Sequence, residues 1–146
     1  MPEKQTLERA RRDRRQGKAP STQAGEFVHE EIHHVREGKH GARSAKQAIA
    51  IGLSKARRAG VRLPPPRKGK ASTRRKAAQD TARAPRGRAS AKRANASLRR
   101  LRREGRSAAS KTALARQARS SARKRGPAAR KAAASKAART RARRSR

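Results

Sequence analysis

The sequence predicts a small all-α module, a helical hairpin, followed by a long intrinsically disordered basic tail rich in Ala, Arg and Lys. Three observations lead there. The chain has 146 residues, 32% of them hydrophobic, but 32 of the hydrophobic residues are alanine and only 14 are Met, Leu, Ile, Val or Phe. Nine of these 14 (Phe27, Val28, Ile32, Val35, Ile49, Ile51, Leu53, Val61 and Leu63) fall within residues 27–63. Charge is segregated the other way, with a net +7 on residues 1–60 and a net +29 on residues 61–146, out of +36 in all. Bulky apolar content this low, with charge this high, does not offset the entropy of ordering a chain.

Residues 1–20 are a charged N-terminal arm with the option of helix. The module occupies residues 21–63. Ser21 or Thr22 can accept hydrogen bonds from the free amides of a first helix, and Gly38 stops it, so the helix runs to about Glu37. Ala24, Val28, Ile32 and Val35 recur at spacings of four, four and three and so share one face, with Phe27 at its margin. After a loop of six residues, KHGARS, Ser44 and Gln47 make the S-x-x-Q spacing of a capping box. In the second helix Ala45, Ala48, Ile49, Gly52, Leu53 and Ala56 share a face, with Lys46, Lys55, Arg57 and Arg58 largely away from it. Gly60 supplies the left-handed stop, and Val61 is placed to pack back on the last turn. So few bulky side chains make the hairpin a weak monomer, and a homodimer through its apolar face is expected. The tail, residues 64–146, opens on Pro64-Pro65-Pro66, which cannot continue a helix.

From Gly25 to Leu63 the sequence GEFVHEEIHHVREGKHGARSAKQAIAIGLSKARRAGVRL resembles a family of small basic bacterial proteins of uncharacterised function, through the element KQAIAIGLSKARRAG at Lys46–Gly60. The resemblance implies an association with Lys-, Arg- and Ala-rich tails and brings no catalytic residue with it. From Arg67 onward the chain is similar in composition to the tails of linker histones and of bacterial histone-like proteins.

Residues 61–146 hold 23 arginines, eight lysines and 23 alanines against two acids. Such a tail neutralises phosphates and releases condensed counterions, so it is expected to bind duplex DNA with strong salt dependence. The cations expected to do this are Arg67, Lys68, Lys70, Arg74, Arg75 and Lys76 at its start, then Arg83, Lys92, Arg93, Arg99, Arg100, Arg102 and Arg103, and finally Arg123, Lys124, Arg125, Arg130 and Lys131. The tail has no aromatic residue, so the stacking used by many single-strand binders is absent. Alternation of Ala with Arg and Lys favours helix once phosphates suppress repulsion, so coil is expected to become helix on binding. End signals are Asn95 before Leu98, Leu101 and Gly105, and Ser107 before a run ending at Gly126-Pro127. Pro85-Arg86-Gly87-Arg88 resembles the core of an A·T-hook, in which Arg-Gly-Arg lies in the narrow minor groove, although Ala89 stands where a second proline is usual. The function that follows is non-sequence-specific DNA binding and compaction by a histone-like, nucleoid-associated protein. The alternative is an RNA- or ribosome-associated basic protein.

His29-Glu30-Glu31-Ile32-His33 has the form H-E-x-x-H, which on a helix sets two imidazoles one turn apart. The extended metalloprotease pattern fails at Arg36 and Lys39, so only adventitious metal contact by His29 and His33, with Glu26 or Glu37, is expected. The acids of this helix have Arg9, Arg11 or the basic tail as opposite charges to fold against. There is no cysteine, no phosphate-binding glycine loop and no paired carboxylate pocket, so neither enzyme activity nor a cofactor is expected. The longest apolar run, Ala48–Leu53, is far shorter than the ~18 residues of a membrane span, and the N-terminus has no apolar export segment. A cytoplasmic, nucleoid location is the expectation.

Overall fold

The computed structural model describes residues 2–84 and 91–144. They form six helices, α1 (Lys4–Arg15), α2 (Pro20–Glu37), α3 (Ala45–Arg58), α4 (Ala71–Ala82), α5 (Ala91–Arg102) and α6 (Lys111–Arg144), with a 3-10 turn at Ser107–Ala109. This corrects the expected fold class: the described residues make an all-α structure of six helices, not a helical hairpin trailing a long disordered tail. Two compact units are present, Met1–Ser110 and Lys111–Arg146. The sequence draws its boundary at Pro64, where the first unit continues without a break.

Local signals set the ends of α2 and α3. α2 starts at Pro20, whose fixed φ suits the first helical position, and ends at Gly38 with φ 77°. Ser44 caps α3 by accepting from the Gln47 amide at 3.2 Å, while the Gln47 side chain accepts from the Arg43 amide at 2.8 Å. Beyond Arg58, Gly60 takes φ 90° and the Val61 amide returns to the Ala56 carbonyl at 3.0 Å. The two helices cross at Gly52, where an added Cβ would stand 2.7 Å from Val28 Cα. Only the absence of a side chain permits this approach.

Phe27 is buried with Ala10, Ala24, Ala56 and Val61, and Leu7, Leu53 and Leu63 pack at the edge of this cluster. α1 thus contributes Ala10 and Leu7 to the apolar cluster of α2 and α3. Among the described residues nine of the thirteen buried apolar side chains are alanine, and the bulky ones are Phe27, Ile32, Val35 and Val61. That is the physical reason for the correction. A census of bulky residues misses a core made by close backbone approach, as at Gly52 and Gly41, with buried alanines filling it.

Residues beyond Pro66 dock in the same way. α4 lays Ala77 and Asp80 on α3, with the Ser54 hydroxyl donating to Asp80 Oδ2 at 2.6 Å. The last turn of α5 and the segment after it bond directly to the α2–α3 loop: the Gly41 amide donates to the Leu101 carbonyl at 2.9 Å and the Ala42 amide to the Gly105 carbonyl at 3.0 Å. A Cβ on Gly41 would fall 1.8 Å from the Glu104 carbonyl oxygen. Ala108 and Ala109 are then buried, and Arg36 Nε donates to the Ala109 carbonyl at 2.9 Å. These contacts need amides, carbonyls and methyl groups, which composition does not distinguish from those of a coil.

In the second unit residues 111–144 are helical, where a disordered tail is expected from composition. Alanine has the highest helix propensity, and straight-chain Arg and Lys lose little rotamer freedom in a helix. The predicted break at Gly126-Pro127 is present as a kink, with Gly126 at φ 78° and ψ 168°. Asn95 lies inside α5 rather than at its start, because the helix begins at Ala91.

Candidate nucleic-acid interface

α6 turns composition into geometry. It carries 13 Lys and Arg in 34 residues with no acid, and residues 111–146 contain none either. Helical periodicity sorts these cations into faces. Along one side of residues 111–125 stand Arg116, Arg119 and Arg123 with Thr112 and Ala115, and Lys111 and Lys124 flank that side. Beyond the kink Lys136, Arg139 and Arg143 share a side with Ala132 and Thr140. The sequence reading named Arg123 and Lys124 from the first set and none from the second. Their signal is the i, i+3, i+4 spacing of cations within an alanine helix. Arg125, Arg130 and Lys131, which it did name, are exposed, but a period of 3.6 residues turns them away from these stripes.

The other expected contacts lie in the first unit. Arg67, Lys68 and Lys70 are exposed in the segment between α3 and α4, with Lys70 at the N-cap of α4. Arg74, Arg75 and Lys76 project from α4, although Lys76 is 3.6 Å from Asp80, and Arg83 closes that helix. Lys92, Arg93, Arg99, Arg100 and Arg102 lie exposed on α5, and Arg103 follows it. Arg86, Gly87 and Arg88, the A·T-hook-like core, lie outside the described residues. Two cations expected on the outer side of α3 are drawn inward. Arg57 is 8% exposed and donates to the Leu63 and Pro64 carbonyls, each at 3.3 Å, and burial pulls its guanidinium pKa below the usual value, against the opposing field of Asp80. Lys55 reaches Glu31 Oε2 at 2.7 Å and Glu30 Oε1 at 3.4 Å.

α2 is the acidic element of the first unit, and its acids are largely paired. Glu26 accepts an ion pair from Arg9 at 3.0 Å, one of the partners expected for it. His29 and His33, the H-E-x-x-H pair, are both exposed with ring centroids 6.4 Å apart, and His33 pairs with Glu37 at 3.1 Å. The more enclosed histidines are the other two. His34 Nε2 lies 2.8 Å from Glu3 Oε1, and His40, from the α2–α3 loop, lies 3.3 Å from the fully buried Glu31. Hydrogen bonds from His34 and Lys39 hold the Glu3 carboxyl down at about 2, and bonding to Lys39 and His33 lowers Glu37 as well. The same two carboxylates raise Lys39. One ligand atom each from Glu31, His34 and His40 lies within 4.8 Å of the others, close enough that the three together could hold a metal ion. The sequence signal for it is E-x-x-H at Glu31 and His34, one register away from the motif that catches the eye.

Among the described residues no helix is long and apolar enough to cross a membrane. No curated protein and no solved structure matches the chain. Residues 3–68 match a family of unknown function, DUF6496, which agrees with the resemblance carried by residues 25–63. The chain is therefore similar to that family across α1, α2, α3 and the segment that follows, while α4, α5 and α6 lie beyond the match.

Proposed function

We infer that the protein binds duplex DNA without sequence preference, neutralising phosphates with helically ordered arginine and lysine, and thereby compacts it as a histone-like, nucleoid-associated protein. The observation that carries this reading is the charge spacing along α6. Its 34 residues, at ~1.5 Å rise each, have a contour of about 50 Å for 13 cations, or one per ~4 Å. One strand of duplex DNA presents a phosphate every ~3.4 Å. The same residues in extended chain, at ~3.3 Å each, would space their charges at about 8 to 9 Å. Helix formation thus roughly doubles the linear charge density and brings it near that of the polyanion. Arginine predominates, and its fork of donors spans phosphate oxygens where an ammonium makes a point contact.

The exposed cations of α4 and α5 add a second basic surface on the first unit, so one chain offers two places for duplex to lie. Both contact the backbone, which explains affinity without base readout. The test is competition for the full chain between a random-sequence duplex and a structured RNA of equal phosphate content at physiological salt. Preferential retention of the duplex is expected. Strong preference for RNA would replace this reading with that of an RNA- or ribosome-associated protein.

A further inference from the structure

We propose that Glu31, His34 and His40 form a binding site for a zinc-class divalent metal ion. Glu31 and His34 stand one turn apart on α2, and the loop after Gly38 carries His40 to them, so the ligand atoms of all three lie within 4.8 Å of one another. Two imidazoles and a carboxylate are a donor set suited to Zn(II) and Co(II), with a fourth position open to water.

The second observation is an unresolved polar contact in the interior. The Glu31 side chain is fully buried, and neither of its oxygens receives a well-directed hydrogen bond. Lys55 sits 2.7 Å from Oε2 as an ion pair, which leaves Oε1 facing His40 Nε2 at 3.3 Å. The other His40 nitrogen, Nδ1, lies 3.0 Å from the Gly41 carbonyl oxygen, an acceptor, so Nδ1 must carry the ring proton. In the neutral ring Nε2 is then a bare lone pair pointed at a carboxylate oxygen. Either a second ring proton or a cation lies between this nitrogen and the Glu31 oxygen, and the approach of a His34 nitrogen to within 4.8 Å of both favours the cation. A tetrahedral ion with bonds of ~2.0–2.1 Å has ligand–ligand edges of about 3.3–3.4 Å, the separation these two atoms already have.

The surroundings fit the same occupant. The Gly41 carbonyl orients His40, and Glu3 anchors His34 at 2.8 Å, the outer contacts that fix the rings of metal-binding histidines. Glu30, 3.4 Å from Lys55, compensates the charge of that lysine. A bound ion would tie α2 to the loop whose Gly41 and Ala42 amides hold residues 101–105. The role is thus a clamp on the docking of the first unit's C-terminal part.

The test uses the full chain with ¹⁵N-labelled histidine, titrated with zinc chloride at pH 7.5, followed by Co(II) absorption. Saturation at one equivalent is expected, with ring-nitrogen shifts at His34 and His40 and none at His29 and His33, and intensified visible Co(II) bands. His40→Gln and Glu31→Gln should weaken binding at least about tenfold, whereas the double substitution His29→Ala, His33→Ala should leave it within about twofold. The wild-type shift map is decisive even if Glu31→Gln fails to fold. Shifts confined to His29 and His33 would overturn the proposal, as would no saturable response. A His40 ring that titrates with protons while ignoring zinc would show that a proton, not a metal, fills the gap.

Discussion

Replacing Arg116, Arg119 and Arg123 by Gln removes three charges from one side of α6, while replacing Arg125, Arg130 and Lys131 by Gln removes three from elsewhere on the same helix. Glutamine has nearly the helix propensity of Arg and Lys, so both variants should keep α6 intact. If the stripe lies along the DNA backbone, each lost phosphate contact reduces the slope of log K against log salt by ~0.9, and the first variant loses about 2.7 from its slope. At 0.1 M salt that corresponds to roughly two to three decades of affinity. The second variant should change slope by well under one. Fluorescence anisotropy with a 20-base-pair duplex, titrated in KCl from about 50 to 400 mM, measures both. Equal losses in the two variants would refute the reasoning, because they would mean that α6 acts as a featureless polycation whose helical faces are irrelevant.

Three further outcomes test the fold. Gly52→Ala should destabilise the first unit by about 1–3 kcal/mol in urea denaturation despite alanine's better propensity, because the new Cβ would meet backbone atoms of Val28 and Phe27 at 2.7 and 3.0 Å. Ser44→Ala should cost about 1 kcal/mol in the same assay by removing the cap on Gln47. Glu3 has a folded pKa of about 2 against an ordinary 4.5, so its contribution to the docking of α1 is fully present above pH 4.5 and is lost as pH falls towards 2. A carboxyl carbon titration by NMR should place its midpoint near 2, and a midpoint near 4.5 would contradict the His34 and Lys39 contacts.

What could be read from the chain follows the range of the physics involved. Gly38, Ser44, Gly60 and Gly126 act within a few residues of themselves, and each does in the structure what its local chemistry dictates. The inward turn of Lys55 and Arg57 was not legible, since it depends on Glu30 and Glu31 across the α2–α3 crossing and on carbonyls presented by Leu63 and Pro64. The pairing of His40 with Glu31 likewise needs the loop to fold back, which no spacing rule encodes. The C-terminal half departs from the expected disorder for one reason: alanine's hold on helix and its close packing outweigh the charge repulsion and scarcity of bulky side chains that predict a coil. An alanine contributes little apolar area, but it permits close approach and holds a helix.

Gly41 is where that argument can be made to fail. Its amide and that of Ala42 carry the backbone contacts from residues 101–105, and a Cβ there would collide with the Glu104 carbonyl. Gly41→Ala should therefore remove hydrogen-exchange protection from the amides of residues 41 and 42 and expose Ala108 and Ala109, with α2 and α3 still protected. If Ala108 and Ala109 stay buried in that variant, alanine packing alone holds the segment, and the backbone bonds are incidental. If the whole first unit melts, the 39–44 loop is part of the core rather than a dock. Loss confined to amides 41 and 42 and to residues 101–110 is the outcome that the geometry requires, because the clash and both lost bonds fall on that one contact.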